Sequence, residues 1–208
     1  MTRVKICGVT NGEDLRTAVA AGADAVGLIA GVSTETPRGI ASERAAELAR
    51  AAPPFVTTVL VTMPESPEAA LELAERVRPD AVQVHAEFTP GDLSALSSSV
   101  AASVLRAVAP DDAAAHDDAA DALVVDSLDE SGAGGTGETH DWARTRDLVG
   151  SLSSPVVLAG GLTPENAADA VEQVDPFAVD VASGVEAAPG RKDPAAVEAF
   201  VREAGGRP

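Results

Sequence analysis

Eight short apolar runs recur along the chain and together use it up: VKIC, AVGLI, TTVLV, AVQVH, VLRAV, ALVVD, VVLAG and AVDVAS. Between most of them lies a segment with helical period. Leu15, Ala18 and Val19 share one face; so do Ala70, Leu73, Ala74 and Val77, and then Ala167, Ala170, Val171 and Val174. Start signals accompany these segments. Thr10 with Glu13 reads as a capping box. Ser66-Pro67, Thr163-Pro164 and Asp193-Pro194 each set a capping side chain before a proline at the first helical position. Gly22 reads as the stop of the first helix. Near-continuous apolar strands alternating with helices require a parallel sheet covered by helices. An open doubly wound sheet and a closed barrel both satisfy that pattern. Eight units filling 208 residues without a remainder favour the barrel, a single-domain (β/α)8 TIM fold over residues 1–208. The fifth unit is the weakest, because APDDAAAHDDAADA is acidic and poor in apolar residues. A short or irregular fifth helix is expected there.

Charge and cysteine content narrow the function. Thirty-three acids against fifteen bases give a net charge of −18, and Lys5 and Lys192 are the only lysines. Such a field repels nucleic acid and anionic membranes, so neither is an expected partner. The lysine shortage goes beyond what a low pI requires and points to a surface adapted to concentrated salt, where carboxylate repulsion is screened. One cysteine, Cys7, excludes an internal disulfide and a Cys-rich zinc site. No run approaches the roughly 20 apolar residues of a membrane span, and MTRVKICG does not read as a secretion leader. The expectation is a soluble, cytoplasmic protein, monomeric or homodimeric.

Strand residues in a barrel alternate between interior and helix layer. On the first strand Lys5 and Cys7 oppose Val4 and Ile6. On the fourth, Gln83 and His85 oppose Val82 and Val84. Asp126 ends the sixth opposite Val125, and Asp180 lies on the eighth between Val179 and Val181. Cys7, His85, Asp126 and Asp180 thus fall at C-terminal strand ends, the rim where active sites of this fold gather. A lone cysteine is usually a small buried hydrophobe and a lone strand histidine a satisfied core residue. Four such residues on one rim point instead to a site.

Glycines indicate the ligand. LAGGLTPEN places Gly160 and Gly161 after strand seven, ahead of a helix starting near Thr163, and DVASGVE places Ser183 and Gly184 after strand eight. Those two loops commonly hold phosphate in barrels, through backbone N–H groups rather than basic side chains. GAGGTGETHDW, with Gly132, Gly134, Gly135 and Gly137, lacks the context of a dinucleotide fingerprint. It reads as a flexible loop closing over a substrate.

KICGVT, PRGI, DAVQVH, GGTGETHDW, LAGGLTPEN and DVASGVE followed by PGRKD occur in that order between residues 5 and 193. In these pieces the sequence resembles the phosphoribosylanthranilate isomerases of tryptophan biosynthesis. The resemblance implies a (β/α)8 barrel that performs the Amadori rearrangement of N-(5′-phosphoribosyl)anthranilate to 1-(2-carboxyphenylamino)-1-deoxyribulose 5-phosphate, with no cofactor or metal. It implies Cys7 as general base and Asp126 as general acid, the latter needing its proton held by burial. Arg38 matches the arginine for the anthranilate carboxylate. His85 and Asp180 match pocket residues, and Gly160, Gly161, Ser183 and Gly184 the phosphate loops. Lys5, beside Cys7 on the interior face, is expected to contact substrate and to lower the thiol pKa. Departures from the family pattern are Ala30, Ala86, Glu138, His140 and Ala182, and none removes a proposed catalytic group. Rival readings are the barrel isomerase of histidine biosynthesis, which uses carboxylates, and indole-glycerol phosphate synthase, which needs more lysines than Lys5. A barrel binding a phosphorylated metabolite without turnover is the third, opposed by the presence of both Cys7 and Asp126.

Overall fold

The computed structural model describes residues 2–126 and 141–205. Eight parallel strands close a barrel in chain order: β1 Arg3–Ile6, β2 Ala25–Ile29, β3 Thr57–Thr62, β4 Ala81–Val84, β5 Ser103–Val108, β6 Ala122–Val125, β7 Val156–Leu158 and β8 Ala178–Val181. β8 returns to β1 with Lys5 opposite Asp180. The helices are α1 Gly12–Ala20, α2 Ser42–Ala51, α3 Pro67–Val77, α4 Pro90–Ser99, α5 Trp142–Ser151, α6 Ala167–Val174 and α7 Pro194–Glu203. After β5 the described chain forms only a 3₁₀ turn, Ala113–His116, as the acidic segment led one to expect. No helix among the described residues is long and apolar enough to cross a membrane.

Two start signals hold and two shift. Ser66 accepts the N–H of Ala69, and Asp193 those of Ala195 and Ala196. At α1, however, the cap is Asn11, whose Oδ1 accepts the N–H groups of Glu13 and Asp14. Thr10 instead donates to the carbonyl of Gly190 at 3.0 Å. Helix α6 starts later than Thr163-Pro164 suggests. Asn166 folds back to accept the Thr163 N–H at 2.8 Å and to donate to the Gly161 carbonyl, which ties the helix entry to the glycine loop. α1 ends as expected, with Gly22 at φ +91° just beyond the cap.

Alternation sorts the apolar side chains into two layers. Val4, Ile6, Leu28, Leu60, Val179 and Val181 face outward and pack under the helices with the buried Phe200 of α7. Inside the barrel lie small residues: Cys7, Val59, Val61 and Ala81 on one side, and Ala107, Val124, Val157, Ala159 and Ala178 on the other. The N-terminal face carries a recurring device. Asp24, Asp80 and Asp121, each one residue or less before β2, β4 and β6, accept the N–H of Val4, Thr58 and Val104 at 2.7 to 2.8 Å. These bonds tie β1 to β2, β3 to β4 and β5 to β6 at their starts, at the end of the barrel associated with stability.

Past β8 the chain makes an excursion that the strand count does not anticipate. β9 Glu186–Ala188 and β10 Arg191–Lys192 form a small antiparallel hairpin turning at Gly190, φ +75°. A Cβ at Gly190 would collide with the carbonyl of Pro37, so this turn lies directly against the segment carrying Arg38.

Candidate active site

A cavity of about 300 Å³ opens at the C-terminal end of the barrel. Its wall includes Cys7, Arg38, His85, Asp126, Gly160, Gly161, Asp180, Ser183 and Gly184. Nine side chains or loops singled out from sequence therefore meet in one place. The tenth, Lys5, does not. It is 4% exposed, lies below the cavity wall, and donates to Asp180 Oδ2 at 2.6 Å. The register that sets Lys5 beside Asp180 on the same interior face explains the difference. Within the described structure Lys5 bears on the cavity through its neighbours, donating to Asp180 and opposing the rise in the Cys7 pKa. The glycine-rich segment with Gly132, Gly134, Gly135 and Gly137, and the departures Glu138 and His140, lie outside the described residues.

Cys7 follows β1 and its thiol points inward, 7% exposed. A Cβ at Gly27 on the neighbouring strand would come within 2.7 Å of its Sγ, so the thiol needs that glycine. Burial pushes the Cys7 pKa up; Lys5 and Lys192 pull it down, and Asp180 adds to the rise. Lys5 lowers it as expected, but burial prevails in the net. Lys5 itself loses from burial, but Asp180 and Cys7 beside it outweigh that loss and leave it firmly charged. A raised pKa keeps Cys7 a thiol longer as pH rises and makes it a stronger base once its proton leaves. Because Cys7 is the sole cysteine, alkylation by iodoacetamide reads it without ambiguity. The rate is expected to climb about tenfold per pH unit to beyond the ordinary thiol pKa of about 8.5. A plateau reached below pH ~8 would contradict the raised value.

Asp126 follows β6, 7% exposed, with its N–H on the carbonyl of Val108. β6 is three strands from β1 round the closed barrel, so the acid and the thiol face the cavity from different sides. Asp180 keeps one oxygen on Lys5, while its Oδ1 is buried without a partner among the described residues, an acceptor at the cavity wall. Gln83 Nε2 and His85 Nε2 are 2.7 Å apart; with the amide donating, Nε2 of the ring accepts. Gln83 orients His85 and was visible in the sequence only as its neighbour on the same face.

The two glycine loops are in contact. A Cβ at Gly184 would overlap the carbonyl of Leu162, so the strand-eight loop must be glycine there to lie on the strand-seven loop. Gly160 and Gly161 both have positive φ, +87° and +62°. Neither N–H donates to another backbone carbonyl among the described residues, which leaves both for an anion. The expected absence of a nearby lysine fails: Lys192 Nζ donates to the carbonyl of Ala182 at 2.8 Å, under the strand-eight loop. It is fully buried and paired with Glu186, so the loop surface itself remains backbone. The Ala182 departure leaves this contact intact, since only the carbonyl takes part.

Sequence reading passed over Glu186 and Lys192. Arg38 Nε and Nη2 each donate to one oxygen of Glu186 at 2.9 Å, and Lys192 Nζ to Oε1 at 3.1 Å. The signal lay in the last residue of DVASGVE and in PGRKD, both quoted above, where neither Glu186 nor Lys192 was given a role.

Comparison with known proteins agrees with this site. A family model for N-(5′-phosphoribosyl)anthranilate (PRA) isomerase matches residues 4–203. The N-(5′-phosphoribosyl)anthranilate isomerase of Natronomonas pharaonis is 66% identical over 206 residues, covering 99% of both chains. That of Halobacterium salinarum is 57% identical over 213 residues, covering 100% of this chain and 98% of the relative. Such haloarchaeal relatives accord with the acidic, lysine-poor composition. Among solved structures, phosphoribosyl anthranilate isomerase from Thermotoga maritima superposes with a TM-score of 0.84 at 35% identity, covering 99% of each chain. A phosphoribosyl anthranilate isomerase in complex with reduced 1-(o-carboxyphenylamino)-1-deoxyribulose 5-phosphate gives a TM-score of 0.82 at 34% identity, again over 99% of each chain. Matched by the family model over residues 4–203 and 66% identical to a relative that it covers almost end to end, the chain belongs to the N-(5′-phosphoribosyl)anthranilate isomerase family.

Proposed function

We propose that the protein converts N-(5′-phosphoribosyl)anthranilate into 1-(2-carboxyphenylamino)-1-deoxyribulose 5-phosphate, an isomerase step of tryptophan biosynthesis. The observation that carries this reading is one cavity with Cys7 and Asp126 on its wall, Arg38 at one side and the glycine loops at another. The phosphate sits against the backbone N–H groups of Gly160 and Gly161 and the Ser183–Gly184 turn. Arg38 takes the aryl carboxylate, and Asp180 Oδ1 and His85 take sugar hydroxyls. Asp126 gives its proton to the ring oxygen as the C1′–O bond breaks, leaving a protonated imine at C1′. That imine acidifies C2′–H, and Cys7, in the fraction of molecules whose thiol has lost its proton to solvent, removes the proton as the thiolate. The C2′–H electron pair forms the C1′=C2′ bond as the imine pair returns to nitrogen, giving an enolamine; gain of a proton at C1′ and loss of the C2′ hydroxyl proton then give the ketone. The test is loss of phosphoribosylanthranilate fluorescence on adding enzyme in concentrated salt. Steady loss supports the reading; binding without loss supports a barrel that only holds a phosphorylated metabolite.

The cell compartment read from sequence, the cytoplasm, suits a thiol that must stay reduced to act as base. Of monomer and homodimer, the description of the Thermotoga maritima isomerase as dimeric supports the second, and mass in solution decides it. Repulsion among carboxylates at net charge −18 weakens the fold when salt is removed. The melting temperature is expected to rise steeply from dilute buffer to molar potassium chloride. A flat profile would leave the composition without a physical cause.

A further inference from the structure

We propose that Glu186, backed by Lys192, is the positioning residue that aims Arg38 at a carboxylate and so sets selectivity for an anionic aromatic amine. This inference rests on the reading that Arg38 grips that carboxylate. A guanidinium has two edges that hold a carboxylate in bidentate fashion: Nε with Nη2, and Nη1 with Nη2. Glu186 takes the first, with two bonds of 2.9 Å. The second edge remains, and Arg38 stands on the cavity wall.

Arg38 lies on the loop between β2 and α2, and Glu186 lies 148 residues later in the hairpin after β8. Nothing local ties the two together. The surrounding packing does: a Cβ at Gly8 would come within 2.8 Å of Arg38 Cδ, and the Gly190 turn abuts Pro37. Stem and head of the arginine are therefore both confined, which lowers the rotamer entropy lost when a ligand binds. Glu186 is itself held, its side chain 5% exposed and its Oε1 shared with a fully buried Lys192 Nζ. Burial alone would push the Glu186 pKa up, but Arg38 and Lys192 outweigh it and keep the carboxylate ionised.

Charge explains why three groups are needed. Arg38 with Glu186 alone would be neutral and would attract an anion weakly. Lys192 brings the cluster to a net +1, a positive spot at the mouth of a strongly acidic protein. Lys192 also bonds the Ala182 carbonyl, so the carboxylate end and the phosphate loop share one buried anchor.

The test compares two ligands, reduced 1-(o-carboxyphenylamino)-1-deoxyribulose 5-phosphate and its counterpart lacking the ring carboxylate. Wild-type protein is expected to prefer the carboxylated ligand. Glu186→Gln keeps the volume and raises the cluster from +1 to +2, but it releases the guanidinium from its two-bond hold; the lost aim is expected to outweigh the added charge and to weaken the carboxylated ligand roughly tenfold, while changing the other by no more than about twofold. Lys192→Met supplies an independent variant; because Lys192 also bonds the Ala182 carbonyl, it is expected to weaken both ligands, the carboxylated one more. Equal weakening of both ligands would make Glu186 general scaffolding and overturn the proposal. Unchanged preference in a folded Glu186→Gln protein would overturn it as well. No preference in the wild type would instead refute the role given to Arg38, and this inference with it.

Discussion

Cys7→Ser and Asp126→Asn are each expected to lower kcat at least about 10²-fold while leaving KM and melting temperature nearly unchanged. The two replacements remove different protons. Serine keeps the shape of Cys7, but its hydroxyl does not ionise at working pH, so C2′–H has no base. Asparagine keeps the shape of Asp126, but it has no acidic proton for the ring oxygen. Neither group holds the phosphate or the aryl carboxylate, so affinity is retained. The opposing account makes Cys7 a packing residue among Val59, Val61 and Ala81, which its 7% exposure would allow. On that account Cys7→Ser changes stability slightly and turnover hardly at all. Fluorescence assays on both variants, with circular dichroism as a check on folding, separate the two accounts.

Lys5→Met is expected to destabilise the barrel by about 3–5 kcal/mol, because it leaves the buried Asp180 carboxylate without its counterion. For a chain of this size that corresponds to a fall in melting temperature on the order of 10 °C, measured at one fixed potassium chloride concentration. Both side chains of the pair are at most 7% exposed, so solvent screens neither charge effectively. Lys5→Met combined with Asp180→Asn removes both charges and is expected to recover most of the lost stability. A drop of less than about 1 kcal/mol for Lys5→Met alone would place this pair with weak surface bridges. The substitution also tests the thiol. Lys5 opposes the rise in the Cys7 pKa while Asp180 adds to it, so Lys5→Met is expected to slow alkylation of Cys7 at a given pH.

What could be read in advance follows from how local each cause is. Strand alternation has a period of two, so the sides on which Cys7, His85, Asp126 and Asp180 point were fixed by their immediate neighbours, and closing the barrel brought them to one rim. Proline-led starts at Ser66 and Asp193 are equally local. The start of α1 was misplaced because Thr10 and Asn11 both have capping chemistry. A distant acceptor, the Gly190 carbonyl, draws Thr10 away and leaves the cap to Asn11. The hairpin after β8 has strands of three and two residues, too short for any periodicity to show. Its consequence was hidden as well: in a chain with 33 acids, Glu186 reads as one more surface carboxylate. Only the fold sets it against Arg38 and Lys192. The net direction of the Cys7 pKa was hidden for a related reason. The nearby lysine is visible in sequence, whereas the depth of burial that outweighs it belongs to the whole barrel.

The claim that Cys7 and Asp126 flank one phosphosugar amine is met most directly by a crystal structure of this protein with reduced 1-(o-carboxyphenylamino)-1-deoxyribulose 5-phosphate bound. The phosphate is predicted to lie on the N–H groups of Gly160 and Gly161 beside Ser183 and Gly184, and the aryl carboxylate on the free edge of Arg38. Cys7 Sγ is predicted to approach C2′ at about 3.5 Å from one side, with the Asp126 carboxyl on the other. A ligand seated with its phosphate elsewhere on the barrel, or with C2′ out of reach of the thiol, would contradict the account.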